Sequence, residues 1–129
     1  GLQVELSKNT DSYSPRACDC DFCQMHGASY ISDPEGKLRI QIKNIENLSK
    51  YRQGSESADF LVCRNCGVLV AVVFETNGKR FGAVNFKILR MQEGFNPSVT
   101  VSPKKLSKLE KNKRWEEVWF PNVRIEEQS

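Results

Sequence analysis

No stretch of this chain approaches the roughly 20 apolar residues that a helix needs to cross a bilayer. The longest apolar run, Val68-Leu69-Val70-Ala71-Val72-Val73-Phe74, has the length of one buried strand. Gly1-Leu2-Gln3-Val4-Glu5-Leu6 lacks the basic and apolar regions of a signal peptide. The expectation is a cytoplasmic protein with no membrane partner. Charge of one sign is scarce too: 19 Lys+Arg against 16 Asp+Glu leave a net +3, which by itself implies no nucleic-acid partner. There is no internal repeat, low-complexity tract or linker. The 129 residues fit a single domain spanning 1–129, long enough to bury a modest core.

Helix signals are few, and strand signals fill most of the chain. Leu2, Val4 and Leu6 alternate with Gln3 and Glu5, the pattern of a half-buried strand. Asn9 to Pro15 is polar and turn-forming. Ala28 to Ser32 reads as a short strand closed by the turn Asp33-Pro34-Glu35-Gly36. Leu38, Ile40 and Ile42 alternate with Arg39, Gln41 and Lys43. Ala58 to Val62 and Val68 to Phe74 flank a cysteine pair, and Asn77-Gly78 is a hairpin signal before a strand through Phe81, Ala83 and Val84. Ser102-Pro103 offers a helix start with Leu106 and Leu109 as its apolar stripe, ending by Asn112 to Arg114. Trp115, Val118, Trp119 and Phe120 then form an aromatic cluster before Pro121, and Val123 with Ile125 suggests a last strand. The expected class is mainly β, an antiparallel sandwich with little helix.

The chemistry lies in five cysteines in two groups, Cys18-Asp19-Cys20-Asp21-Phe22-Cys23 and Cys63-Arg64-Asn65-Cys66-Gly67. A C-x-x-C-G turn aims two thiolates the same way, and Gly67 lets the backbone turn toward the sulfurs, as in a zinc knuckle. Three thiolates within six residues can hold three corners of a tetrahedron. Structural zinc sites are closed, whereas catalytic ones keep a corner open for water or substrate. The spacing therefore assigns Zn²⁺ as cofactor and Cys18, Cys20, Cys23, Cys63 and Cys66 as its ligands. Whether one closed site or an open one results is left open by spacing alone. A thioredoxin-like role for Cys63 and Cys66 is disfavoured, since no βαβ pattern surrounds them. The lone histidine, His26, is either a fourth ligand to the first group or a neighbour of it. Asp19 and Asp21 are either solvated turn residues or proton acceptors beside the metal.

C-x-C-x-x-C followed about forty residues later by C-x-x-C-G resembles the glutathione-dependent formaldehyde-activating enzyme family, which includes centromere protein V. The likeness runs from Gly1 to the Trp119-Phe120-Pro121 region. It implies an Mss4-like fold, a distorted antiparallel β sandwich with zinc knuckles. It further implies a catalytic zinc on Cys18, Cys20 and Cys23, and a structural zinc on Cys63 and Cys66 with an N-terminal C-x-C. No C-x-C precedes Gly1 here, although Gly1 to Leu6 resembles the strand that follows those cysteines in the family. If such a pair belongs before Gly1, Gly1 is expected beside Cys63 and Cys66. Otherwise Cys63 or Cys66 is expected to complete the site of the first group. The implied function is carbon–sulfur lyase chemistry of the S-(hydroxymethyl)glutathione synthase kind, with a glutathione-like thiol and formaldehyde or a related aldehyde as substrates.

The competing class is a non-enzymatic zinc-stabilised module that binds a protein or nucleic acid. Its support is the run of Lys104, Lys105, Lys108, Lys111, Lys113 and Arg114. On a helix, Lys104, Lys108 and Lys111 share a face opposite Leu106 and Leu109, which reads as a solvated surface. Glu110, Glu116 and Glu117 dilute the run and no aromatic stacking pattern accompanies it. Methionine sulfoxide reduction, known on a related fold, needs a reactive cysteine beyond the metal ligands, and none is spare if both groups bind metal.

Overall fold

The computed structural model describes residues 2–7, 13–18, 23, 25, 27–44, 46, 48–52, 58–64, 67–76, 78–89, 95, 99–101 and 107–127. Strand dominates them: β1 (Leu2–Leu6), β2 (Arg16–Cys18), β3 (Ser29–Ile31), β4 (Lys37–Ile42), β5 (Leu48–Tyr51), β6 (Asp59–Cys63), β7 (Leu69–Thr76), β8 (Lys79–Asn85), β9 (Val99–Val101) and β10 (Asn122–Glu127). A 3-10 turn covers Phe86–Ile88, and the helix α1 covers Lys108–Val118. Among the described residues no helix is long and apolar enough to cross a membrane.

Two sheets form, one of order β1-β4-β10 and one of order β5-β6-β7-β8-β3-β2-β9. The expected antiparallel architecture holds for most pairs, but β10 joins β4 and β9 joins β2 in parallel. The alternation in β4 does what its sequence requires: Leu38, Ile40 and Ile42 are buried, while Lys37 is exposed and Arg39 and Gln41 are half-buried. Strand β7 buries six consecutive residues, Leu69 to Phe74, because the larger sheet is covered on both sides. Its hairpin to β8 pairs Thr76 with Lys79, and Gly78 adopts φ +77, the left-handed conformation that a two-residue hairpin loop favours.

The two faces of the larger sheet bury different sets of side chains. Leu61, Val70, Val73, Val84 and Ile31 meet Leu38, Ile40 and Val123 of the smaller sheet, with Tyr13 and Phe120 filling the space between. Their chain neighbours Phe60, Val72, Phe74, Ala83 and Tyr30 point the other way, against Cys23, Ala28, Phe81 and Trp119, with Trp115 and Val118 of α1 packed over them. The order across the molecule is therefore small sheet, large sheet, helix. Gly82 and Phe120 exchange two backbone hydrogen bonds of 3.0 and 2.9 Å, so the segment leaving α1 crosses to the sandwich core at that point.

The helix departs from its expected bounds. Ser102 to Leu106 lie outside the described residues. The cap of α1 is Ser107, whose hydroxyl accepts from Glu110 N–H while the Glu110 carboxylate accepts from Ser107 N–H. This is a capping box, and it satisfies two backbone donors at once. The helix then continues through Trp115 to Val118 rather than ending by Asn112 to Arg114. Leu109, expected to be buried, is 80% exposed. The apolar contact comes instead from Trp115 and Val118, joined by Trp119 just past the helix. Trp115 and Trp119 stack at 4.7 Å with their planes 11° apart, and Trp115 meets Phe74 edge-on at 5.5 Å. Phe120 leaves the expected aromatic cluster and enters the sandwich core.

Candidate metal centre

The second cysteine group lies in the connection from β6 to β7. Cys63 closes β6; its N–H donates to Val68 C=O at 2.9 Å, and its C=O accepts from Gly67 N–H at 2.7 Å. Gly67 sits at φ +71, and a Cβ added there would meet nothing within 4 Å. The demand on Gly67 is thus conformational rather than steric. Asn65 and Cys66 fall outside the described residues, as does Gly1, so the expected neighbourhood of Gly1 and Cys66 lies outside them too.

The first group begins at the end of β2. Cys18 occupies the last position of that strand; its side chain, all of Asp19 to Phe22, and His26 lie outside the described residues. Cys23 is 2% exposed, with its Sγ 3.1 Å from the Tyr30 hydroxyl. Its carbonyl accepts from Ala28 N–H at 2.9 Å, across a turn in which Gly27 takes φ +61. Ala28, Tyr30, Phe60, Phe81 and Trp119 share its apolar cluster. The sulfur is therefore held in a dry site with a phenol as hydrogen-bond partner.

Cys23 and Cys63 occupy opposite faces of the large sheet. On β6, Phe60 and Val62 pack with the Cys23 cluster, whereas Leu61 and Cys63 pack with the sandwich core. Among the described residues no three His, Cys, Asp or Glu side chains gather as a metal-binding group; Cys20, Cys66 and the Cys18 side chain lie outside them.

The residues present suit a zinc ion in two respects. The Cys63 to Val68 turn has the strand–turn–glycine form that a C-x-x-C half-site needs. The Cys23 sulfur has a hydroxyl partner, the kind of outer hydrogen bond that orients metal ligands.

Sequence reasoning did not find Tyr30, whose alternation in a short strand reads as core packing. Nor did it find Arg16, which stands two residues before Cys18 and directly across from Tyr30 in the antiparallel β2–β3 pair. The half-buried Arg16 guanidinium donates to Ser32 Oγ. Burial first, and the Arg114 charge second, lower its pKa from the usual arginine value.

No family model and no curated protein matches the chain. It is similar to a Rhodobacter sphaeroides protein whose crystal structure was solved as a structural-genomics target. The two share 30% identity and a TM-score of 0.51, over 76% of this chain and 90% of that one. The chain belongs to the family of that Rhodobacter protein.

Proposed function

We propose that this chain is a cytoplasmic zinc protein that adds a thiol, such as glutathione, to formaldehyde or a related aldehyde. It would thus act as a carbon–sulfur lyase in the reverse sense. The observation that carries the reading is the buried Cys23 sulfur against the Tyr30 hydroxyl at 3.1 Å, closing the run Cys18-x-Cys20-x-x-Cys23. Cys18, Cys20 and Cys23 would hold the catalytic ion, and Cys63 with Cys66 would contribute to a structural one. When bound at a site with an open corner, zinc supplies the positive charge that favours thiolate over thiol near neutral pH.

The protein's own side chains have defined tasks in this reading. With Cys23 as a thiolate, Tyr30 would donate to its sulfur and fix its direction. The cluster of Ala28, Phe60, Phe81 and Trp119 keeps water from that sulfur, which strengthens its electrostatic interactions. In the addition itself, the substrate sulfur forms a bond to the aldehyde carbon, the C=O π bond opens, and the thiol proton passes to the oxygen. Nothing is oxidised or reduced.

Metal content and cobalt substitution test the proposal. The expected result is bound zinc that falls in Cys23→Ser, and a cobalt spectrum that shifts when glutathione is titrated. ¹³C-formaldehyde should form the hydroxymethyl thioether faster with protein than without. A cobalt spectrum indifferent to saturating glutathione, with no rate above the spontaneous reaction, would instead indicate a non-enzymatic zinc module.

A further inference from the structure

The small sheet turns Leu38, Ile40 and Val123 inward, so its strands present Lys37, Arg39, Asn122 and Arg124 on the outer face. The parallel register sets Asn122 beside Lys37 and Arg124 beside Arg39. Their Cα atoms therefore stand about 5 Å apart across the strands and about 7 Å apart along them. Glu5 lies across from Arg39 on β1, and Ser7 follows that strand. These six residues line one cleft of about 350 Å³, within the range of roughly 300–1,000 Å³ that small-molecule sites occupy.

The charges around the cleft do not cancel. Arg39 is committed: its Nε and Nη2 donate to Glu126 Oε2 at 3.1 and 2.9 Å, and its Nη1 donates to Glu5 Oε2 at 3.4 Å. The other Glu126 oxygen lies 3.8 Å from Arg124, beyond hydrogen-bond reach. Among the described residues Lys37 has no carboxylate within 4 Å. Three cations thus face two carboxylates that Arg39 already engages, and Lys37 and Arg124 keep their donors for another acceptor. Ser7 Oγ accepts from Lys37 N–H at 2.9 Å, which leaves its own proton to donate, and the Asn122 amide offers two further donors.

We infer that this cleft binds the phosphate group of a small phosphomonoester. Such a group is close to dianionic at pH 7 and presents three strong acceptor oxygens. It matches two uncommitted cations and the neutral donors that three segments supply, whereas a carboxylate would use one guanidinium fork alone. The cleft has room beyond the phosphate for the organic remainder. No aromatic side chain lines it, so recognition falls on the phosphate rather than on a stacked base. Cys23 lies on the helix side of the large sheet, on the far side of the molecule, and the site stands or falls independently of the function proposed above.

Titrations of the whole chain followed by amide chemical shifts, at low ionic strength and about pH 7.5, test the site. Glycerol 2-phosphate should shift the amides of Lys37, Arg39, Asn122 and Arg124 saturably, and inorganic phosphate should compete for them. Glycerol and acetate at equal concentration should not. Lys37→Gln and Arg124→Gln should each weaken binding about five- to tenfold, whereas Lys50→Gln, on the exposed end of β5, should leave it unchanged. Lys37 and Arg124 are exposed, so both variants keep the fold, which their spectra check directly. No saturable shift up to about 10 mM, an equal response to acetate, or an equal loss in Lys50→Gln would overturn the site.

Discussion

Asn85 is 2% exposed, and its amide joins three parts of the large sheet. Its Nδ2 donates to Leu69 C=O at 2.9 Å, and its Oδ1 accepts from Lys87 N–H at 3.1 Å and from Ser29 N–H at 3.4 Å. Asn85→Asp keeps the volume and the two accepted bonds but turns the donor facing Leu69 into a second acceptor. The orphaned carbonyl costs about 1–3 kcal/mol, and burial of the new charge adds to it, so the loss at pH 7 should reach about 3–5 kcal/mol. A protonated carboxyl can donate to Leu69 again. The introduced group therefore has a folded-state pKa above its unfolded value of about 3.9. The restored stability is fully present below about pH 4 and is lost as pH rises through the folded-state value. Between those two values the difference from wild type should grow by about 1.4 kcal/mol per pH unit. Urea unfolding of both proteins from pH 4 to 8 measures it. Asn85→Leu, which cannot titrate, should be destabilised by a similar amount at every pH. A penalty for Asn85→Asp that stays flat with pH would refute this account of the Leu69 bond.

Other perturbations probe separate parts of the structure. A Cβ at Gly82 would lie 3.0 Å from both Val72 C=O and Val123 Cγ2, so Gly82→Ala should cost about 1–3 kcal/mol in thermal unfolding; an unchanged Tm would show that the sheets can slide apart without loss. Ser107→Ala should remove about 1 kcal/mol of helix stability. The Glu110 pKa is lowered by its backbone hydrogen bond with Ser107 first and the side-chain bond second, so that support is present above the ordinary carboxylate range and fades as pH falls through the lowered value. The substitution should accordingly weaken the acid dependence of the helical dichroism. Tyr30→Phe should lower zinc affinity by about 10–100-fold in chelator competition, and equal affinity would count against Cys23 as a ligand.

The sequence was legible where one side chain decides the local outcome. The alternation of Leu38, Ile40 and Ile42 could bury only one face, and Gly78 and Gly67 occupy turns that need positive φ. Strands β2, β5 and β9 were missed because they are three or four residues long. They are strands by virtue of partners far away in the chain, as when Arg16 to Cys18 lies parallel to Val99 to Val101. The end of the helix was misplaced: α1 runs on to Val118 through the tertiary burial of Trp115 and Val118, to which a local pattern is blind. Arg16 carried no signal at all, since its interest comes from Tyr30 and Ser32, which the β2–β3 pairing brings beside it.

The placement of the two cysteine groups bears on the choice that spacing left open, between one shared site and two. Sulfurs bound to one zinc lie about 2.3 Å from it and so within about 4 Å of one another. Cys23 is buried on the helix side of the large sheet, and Cys63 packs on the side of the smaller sheet. For Cys63 to complete the first site, its side chain would have to abandon the alternation that Phe60, Leu61 and Val62 establish along β6. A one-residue change of face moves every side chain of a strand, and Leu61 would then leave the core in which it is 2% exposed. Such a rearrangement would cost more apolar burial than one added ligand bond needs to demand. The fold thus keeps Cys63 and Cys23 apart, which supports the proposal that they serve separate sites.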